Sequence, residues 1–170
     1  GRRYFQQKFG KAPTTAINFD PFGHSRGMVQ LLAKCGFDSY IVTRPSREVC
    51  PVPAEDFIWV GYEGSEVAVH IANEGYNTLL GQATEKIRAI VSAHENSDSA
   101  LVLWGVGNHG GGPSRSDLRK IAELKEEWES QGIELIHSTP EAFFAAMDKS
   151  TVTPIPKKAV NFASLLIIFQ

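Results

Sequence analysis

A chain of 170 residues, 42% hydrophobic and 21% charged, is sized for one globular unit with a real core and is too short for two comfortable ones. Its net charge of −2 gives no reason to expect nucleic acid as a partner. Two cysteines, Cys35 and Cys50, are too few for a disulfide framework, and the longest apolar run, Leu165 to Phe169, is far short of the ~20 residues of a membrane span. No basic, apolar, small-residue leader opens the sequence, so the expectation is a soluble, cytoplasmic protein with no membrane partner.

Tyr4, Phe5 and Phe9 stand at helical spacing, so Gly1 to Gly10 reads as the end of a helix stopped by Gly10, and the chain as starting inside a fold. Thr14 to Phe19 sets Ala16, Ile17 and Phe19 beside polar neighbours as a strand would, and Pro21 and Gly23 break it. Gly27 to Cys35 has Met28, Leu31, Leu32 and Cys35 at helical spacing, which puts Asp20 on a strand-to-helix turn. In α/β proteins such turns collect chemistry, although Asp is also a common turn former.

Ser39 to Thr43 is a second strand, followed by a surface loop marked by Pro45, Pro51 and Pro53. Two apolar runs, Phe57 to Tyr62 and Val67 to Ile71, flank Glu63-Gly64 and predict a hairpin. Leu79, Leu80, Ala83, Ile87, Ile90 and Val91 share one face of an amphipathic helix over Thr78 to His94. Ala100 to Trp104 predicts a strand buried on both faces, emptying into a glycine-rich loop at Gly105 to Pro113. Ser114 caps a helix running to Gln131, with Asp117 in the place of the usual capping-box acid and Gly132 as the stop. Ile133 to His137 and Pro140 to Met147 add a strand and a helix. Strands alternating with helices mean an α/β protein, either a parallel sheet or a partial (β/α) barrel. Residues 150–170, broken by Pro154 and Pro156, predict a strand or short helix patching an exposed sheet edge.

The run FDPFGHS around Asp20 is similar to the segment of glycoside hydrolase family 38, the α-mannosidases, that carries the nucleophilic aspartate. Gly27 to Arg44 resembles that family's next helix and strand, ending in an arginine beside the nucleophile. Trp59, His70 and Tyr76-Asn77 fall at later barrel-edge positions, and GVGNHGGGPSRSDLRK is like a glycine-rich stretch of the bacterial branch. The resemblance covers residues 1–149, giving a partial catalytic domain there and a divergent tail at 150–170. It implies a zinc-dependent retaining α-mannosidase acting on an α-mannoside glycan. Asp20 would be both nucleophile and zinc ligand, with Arg44, Tyr76 and Asn77 lining the sugar site. Arg44 would keep Asp20 ionised by holding a cation nearby.

Departures from the family pattern set the limits of that expectation. Asn108 and His109 stand where an acid/base carboxylate is expected, and neither the family's H-x-D pair nor its later His-Asp segment is present. A catalytic zinc needs three or more protein ligands, so the isolated chain is expected to be inactive. His24 is expected to support its loop without binding metal, and His94 and His137 to be structural or surface residues. Gly105-x-Gly107-x-x-Gly110 matches a dinucleotide fingerprint only formally, because Gly111-Gly112-Pro113 delay the helix that should meet pyrophosphate. The alternative to a hydrolase is a catalytically dead α/β domain that binds carbohydrate or assembles with itself through exposed sheet edges.

Overall fold

The computed structural model describes residues 1–46, 48–50, 52, 54–95, 97, 99–107, 111–147 and 154–155. Two units divide the chain, Gly1–Glu74 with Thr139–Gln170 and, between them, Gly75–Ser138.

The first unit is built on a five-stranded sheet in the order β1-β2-β4-β3-β5. Its strands are β1 (Thr15–Asn18), β2 (Ser39–Val42), β3 (Asp56–Val60), β4 (Glu66–Ile71) and β5 (Pro154–Ile155). β1, β2 and β4 run parallel, β3 returns antiparallel to β4, and β5 lies parallel to β3. The predicted hairpin is present, and Gly64 at φ 93 takes the left-handed conformation its turn needs. The fold is therefore mixed α/β with a mostly parallel sheet. β5 adds to the edge next to β3, while β1 forms the opposite edge.

The period-2 alternation of these strands sorts side chains between two faces. Tyr40, Val42, Phe57, Trp59, Val67, Val69 and Ile71 form one buried cluster with Val29 of helix α2 (Gly27–Lys34). α2 buries Val29 and half-buries Leu32, leaving Leu31 61% exposed, so its inward stripe differs from the one expected. On the opposite face Ile41 and His70 are buried, and helix α5 (Pro140–Ala146) packs there with Phe143 edge-on to the His70 ring at 5.0 Å. Helix α1 (Arg2–Phe9) ends at Gly10 as predicted but buries none of its residues. Its tie to the unit is Arg2, which donates to the carbonyls of Pro13 and Cys35 at 2.7 and 2.9 Å.

The second unit pairs helices α3 (Ala83–Ala93) and α4 (Arg115–Glu129) around Ala83, Ile87, Ile121, Leu124 and Trp128. Two of its predicted strands are absent. Neither 100–104 nor 133–137 joins a ladder; Val102, Trp104, Ile133 and Leu135 instead half-bury their side chains against the helix pair. Alternation there serves helix coverage, and the only pairing nearby is an isolated bridge between Thr78 and Val106 among the described residues. The predicted helix from Thr78 also starts later, at Ala83, with Leu79 and Leu80 each 66% exposed outside it.

Asp117 explains that shortened start. Its carboxylate, fully buried, accepts from the amides of Gly81 and Ala83 at 3.1 and 3.2 Å and from the Ser114 hydroxyl at 2.5 Å. One side chain of α4 thus satisfies N–H groups that α3 leaves open at its own beginning. The Ser114 hydroxyl and these amides hold the Asp117 carboxyl below its ordinary pKa, with the Lys120 charge adding to the effect. Gly81, at φ 81, supplies the left-handed step before the helix.

Candidate active site

In a parallel pair the register carries past the last ladder residue, and here it does so across two consecutive turns. Asn18 pairs with Val42. One step on, the Thr43 hydroxyl donates to the Phe19 carbonyl; at the next, the Arg44 guanidinium meets the Asp20 carboxylate at 2.9 Å. Asp20 thus sits beyond the C-terminal end of β1 with Arg44 beside it, where α/β sheets place their ligands. Both side chains are more than half exposed, at 54% and 56%, so the pair is open to a ligand.

Behind it lies a buried polar cluster. His24, 6% exposed, sets Nε2 2.7 Å from the Arg44 carbonyl oxygen and Nδ1 3.1 Å from the Tyr40 hydroxyl. Asn18 donates its amide to that hydroxyl at 3.2 Å. Burial lowers the His24 pKa, opposed by the bond to Arg44, and burial raises that of Tyr40. Both rings pack on Trp59, Tyr40 stacked at 6.5 Å and His24 edge-on at 6.2 Å. Spacing singled out Asp20, and the family resemblance Arg44, but neither gave a role to Tyr40 or Asn18. The one available signal was a tyrosine on an inward-facing strand position, whose hydroxyl needs a partner.

Tyr76 and Asn77 belong to the second unit and are described there by themselves. Tyr76 is 44% exposed. Asn77 lines a cleft of about 420 Å³ together with Thr78, Gln82, Glu85, Lys86 and Gly107. Gly107 has no room for a side chain, because a Cβ would overlap that of Asn77. The loop positions Asn108 and His109 lie outside the described residues.

Among the described residues the donors do not make up a zinc site: no group of three or more His, Cys, Asp or Glu side chains is placed to hold a metal. Both ring nitrogens of His24 are engaged, and His70 Nδ1 is 2.8 Å from Asp56 on the neighbouring strand. Asp20 is the one expected ligand on the sheet edge.

A mostly parallel sheet with an arginine-held aspartate beyond its first strand defines an α/β protein with a sheet-edge carboxylate site. Over residues 1–164 the chain matches the glycosyl hydrolases family 38 N-terminal domain, and it belongs to that family. It is 31% identical over 155 residues to alpha-mannosidase G of Dictyostelium discoideum and 26% identical over 154 residues to alpha-mannosidase 2C1 of Homo sapiens. These matches cover 87% and 89% of this chain but only 14% and 15% of the relatives' lengths. The fold is similar to the crystal structure of an alpha-mannosidase from Enterococcus faecalis, with a TM-score of 0.61 at 15% identity, covering 88% of this chain and 18% of that one.

Proposed function

We propose that this chain forms part of a retaining α-mannosidase catalytic domain in which Asp20 is the nucleophile and Arg44 its electrostatic partner. The observation that carries the reading is the Asp20–Arg44 pair on the extended β1–β2 register, in a chain of family 38. In a retaining mechanism a carboxylate attacks the anomeric carbon as the glycosidic C–O bond breaks, and a second carboxyl about 5 Å away protonates the departing oxygen. Arg44 favours the ionised, attacking form of Asp20. Tyr76 and Asn77 contribute polar groups for sugar hydroxyls. Asp20 would also be one ligand of a zinc ion whose remaining ligands the described residues do not supply, so no step is assigned to the metal. With Asn108 in its glycine-rich loop, the 170-residue chain lacks an acid/base there and is inactive by itself.

The test is aryl α-mannoside turnover by the product of the complete reading frame that encodes this chain. Asp20→Asn is expected to abolish it, and unchanged turnover would sink the assignment. A second reading, self-assembly, is favoured by β1, an edge strand whose Ile17 is 50% exposed. Light scattering of the purified chain separates the two, since a clean monomer argues against edge pairing.

A further inference from the structure

With the His24 ring neutral, the hydrogen bonds of the polar cluster under Arg44 have one self-consistent arrangement. A backbone carbonyl can only accept, so His24 Nε2, 2.7 Å from the Arg44 oxygen, carries the proton. In the neutral ring Nδ1 is then an acceptor, and the Tyr40 hydroxyl 3.1 Å away must donate to it. That uses the single hydroxyl hydrogen of Tyr40, whose oxygen is left to accept from the Asn18 amide at 3.2 Å. The bonds run one way, from Asn18 through Tyr40 and His24 to the Arg44 backbone.

We infer that Tyr40 is a positioning residue for the Asp20–Arg44 pair, its hydroxyl, oriented by the Asn18 amide to donate to Nδ1, stabilising the His24 tautomer that grips the Arg44 carbonyl. This rests on the reading of Asp20 and Arg44 as the reacting site. The turn bearing Arg44 is held at two points, by Thr43 on the Phe19 carbonyl and by His24 on its own carbonyl. The first tie fixes its distance from the Asp20 turn. The second fixes the peptide orientation from which the guanidinium projects. With the other tautomer Nε2 would face the carbonyl as acceptor against acceptor, and the second tie would be lost. Burial of His24 disfavours the charged ring, the form in which both nitrogens would donate and no choice between tautomers would exist. The ring of Tyr40 is packed independently on Trp59, so removing the hydroxyl alone leaves that stack in place.

The experiment is nitrogen-resolved NMR of the 170-residue chain labelled at histidine and arginine, which needs no substrate. In the unaltered protein His24 should show a pyrrole-like Nε2 and a pyridine-like Nδ1. Tyr40→Phe should move the Nδ1 signal and shift the Arg44 guanidinium resonance toward its position in Asp20→Asn, where the pair is broken. In a His24→Gln background the side-chain amide can donate to the carbonyl without help, so adding Tyr40→Phe should leave the Arg44 signal where it is. A protonated Nδ1 in the unaltered protein would overturn the inference, even if Tyr40→Phe failed to fold. So would an Arg44 signal that does not respond to Tyr40→Phe. The site reading fails separately, through persistent turnover in Asp20→Asn.

Discussion

Replacing Asp20 by Asn separates a reacting carboxylate from a turn residue, because the two roles predict opposite balances of stability and activity. At 2.9 Å in a dielectric near that of water, two unit charges attract by about 1.4 kcal/mol. Both side chains are more than half exposed, so screening and side-chain entropy reduce the net worth of the pair to about 0.2–1 kcal/mol. Loss of a nucleophile, by contrast, is expected to lower turnover by about 1,000-fold or more, about 4 kcal/mol on the barrier. Urea denaturation of the 170-residue chain measures the first quantity, and aryl α-mannoside kinetics on the product of the complete reading frame measures the second. Arg44→Leu should show the same near-neutral stability. A loss of several kcal/mol on Asp20→Asn, with turnover retained, would refute the reasoning and leave Asp20 a structural turn residue.

Asp117→Ala strips a buried acceptor from two amides and a hydroxyl, so it should destabilise the second unit by about 3–5 kcal/mol and speed hydrogen exchange at Gly81 and Ala83; unchanged exchange there counts against its capping role. Gly107→Ala should displace the Asn77 side chain, visible as amide shifts at Asn77 and Thr78, whereas an unperturbed spectrum would mean the contact yields freely. His24 has a lowered folded pKa, so its contribution is fully present above the unfolded value of about 6.5 and is lost as pH falls through that value toward the folded one, since the unfolded chain takes the proton first. The denaturation midpoint should therefore drop on acidification across that window more steeply than in His24→Gln, and an equal slope in both proteins removes His24 as the cause. After dialysis the chain should retain well under one zinc per molecule, because a single carboxylate holds the ion weakly; stoichiometric zinc with mannoside turnover would show a ligand set other than the one inferred.

Much of the site's first half was legible in the sequence. Apolar spacing up to Phe19, the Pro21 and Gly23 breakers and the helical run from Gly27 locate Asp20 on its turn without reference to any other part of the chain. The hairpin about Gly64, the Gly10 stop and the Ser114 cap were equally readable, since each depends on residues a few positions apart. The second unit is less legible. Ala100 to Trp104 and Ile133 to His137 carry strand-like apolar residues, yet apolar content reports burial and not pairing, and a segment laid across two helices buries its side chains without a ladder. Leu79 and Leu80 likewise extend a helical stripe that Gly81 and the Asp117 carboxylate cut short.

What the sequence alone determined were the properties that neighbours in the chain impose: where elements start and stop, which carboxylate tops a strand, and the family it resembles. The tertiary structure decided which distant residues meet. The pairing of Thr15 with Ser39 is an offset of 24 positions, and only that register brings Arg44 to Asp20 and sets Thr43 on Phe19. Tyr40 and Asn18 acquire their place in the bonded chain by lying on adjacent strands and one face, and Asp117 by the packing of α4 against the start of α3. Hydrogen bonds need positions within about 3 Å, a condition fixed by packing that no local spacing rule encodes.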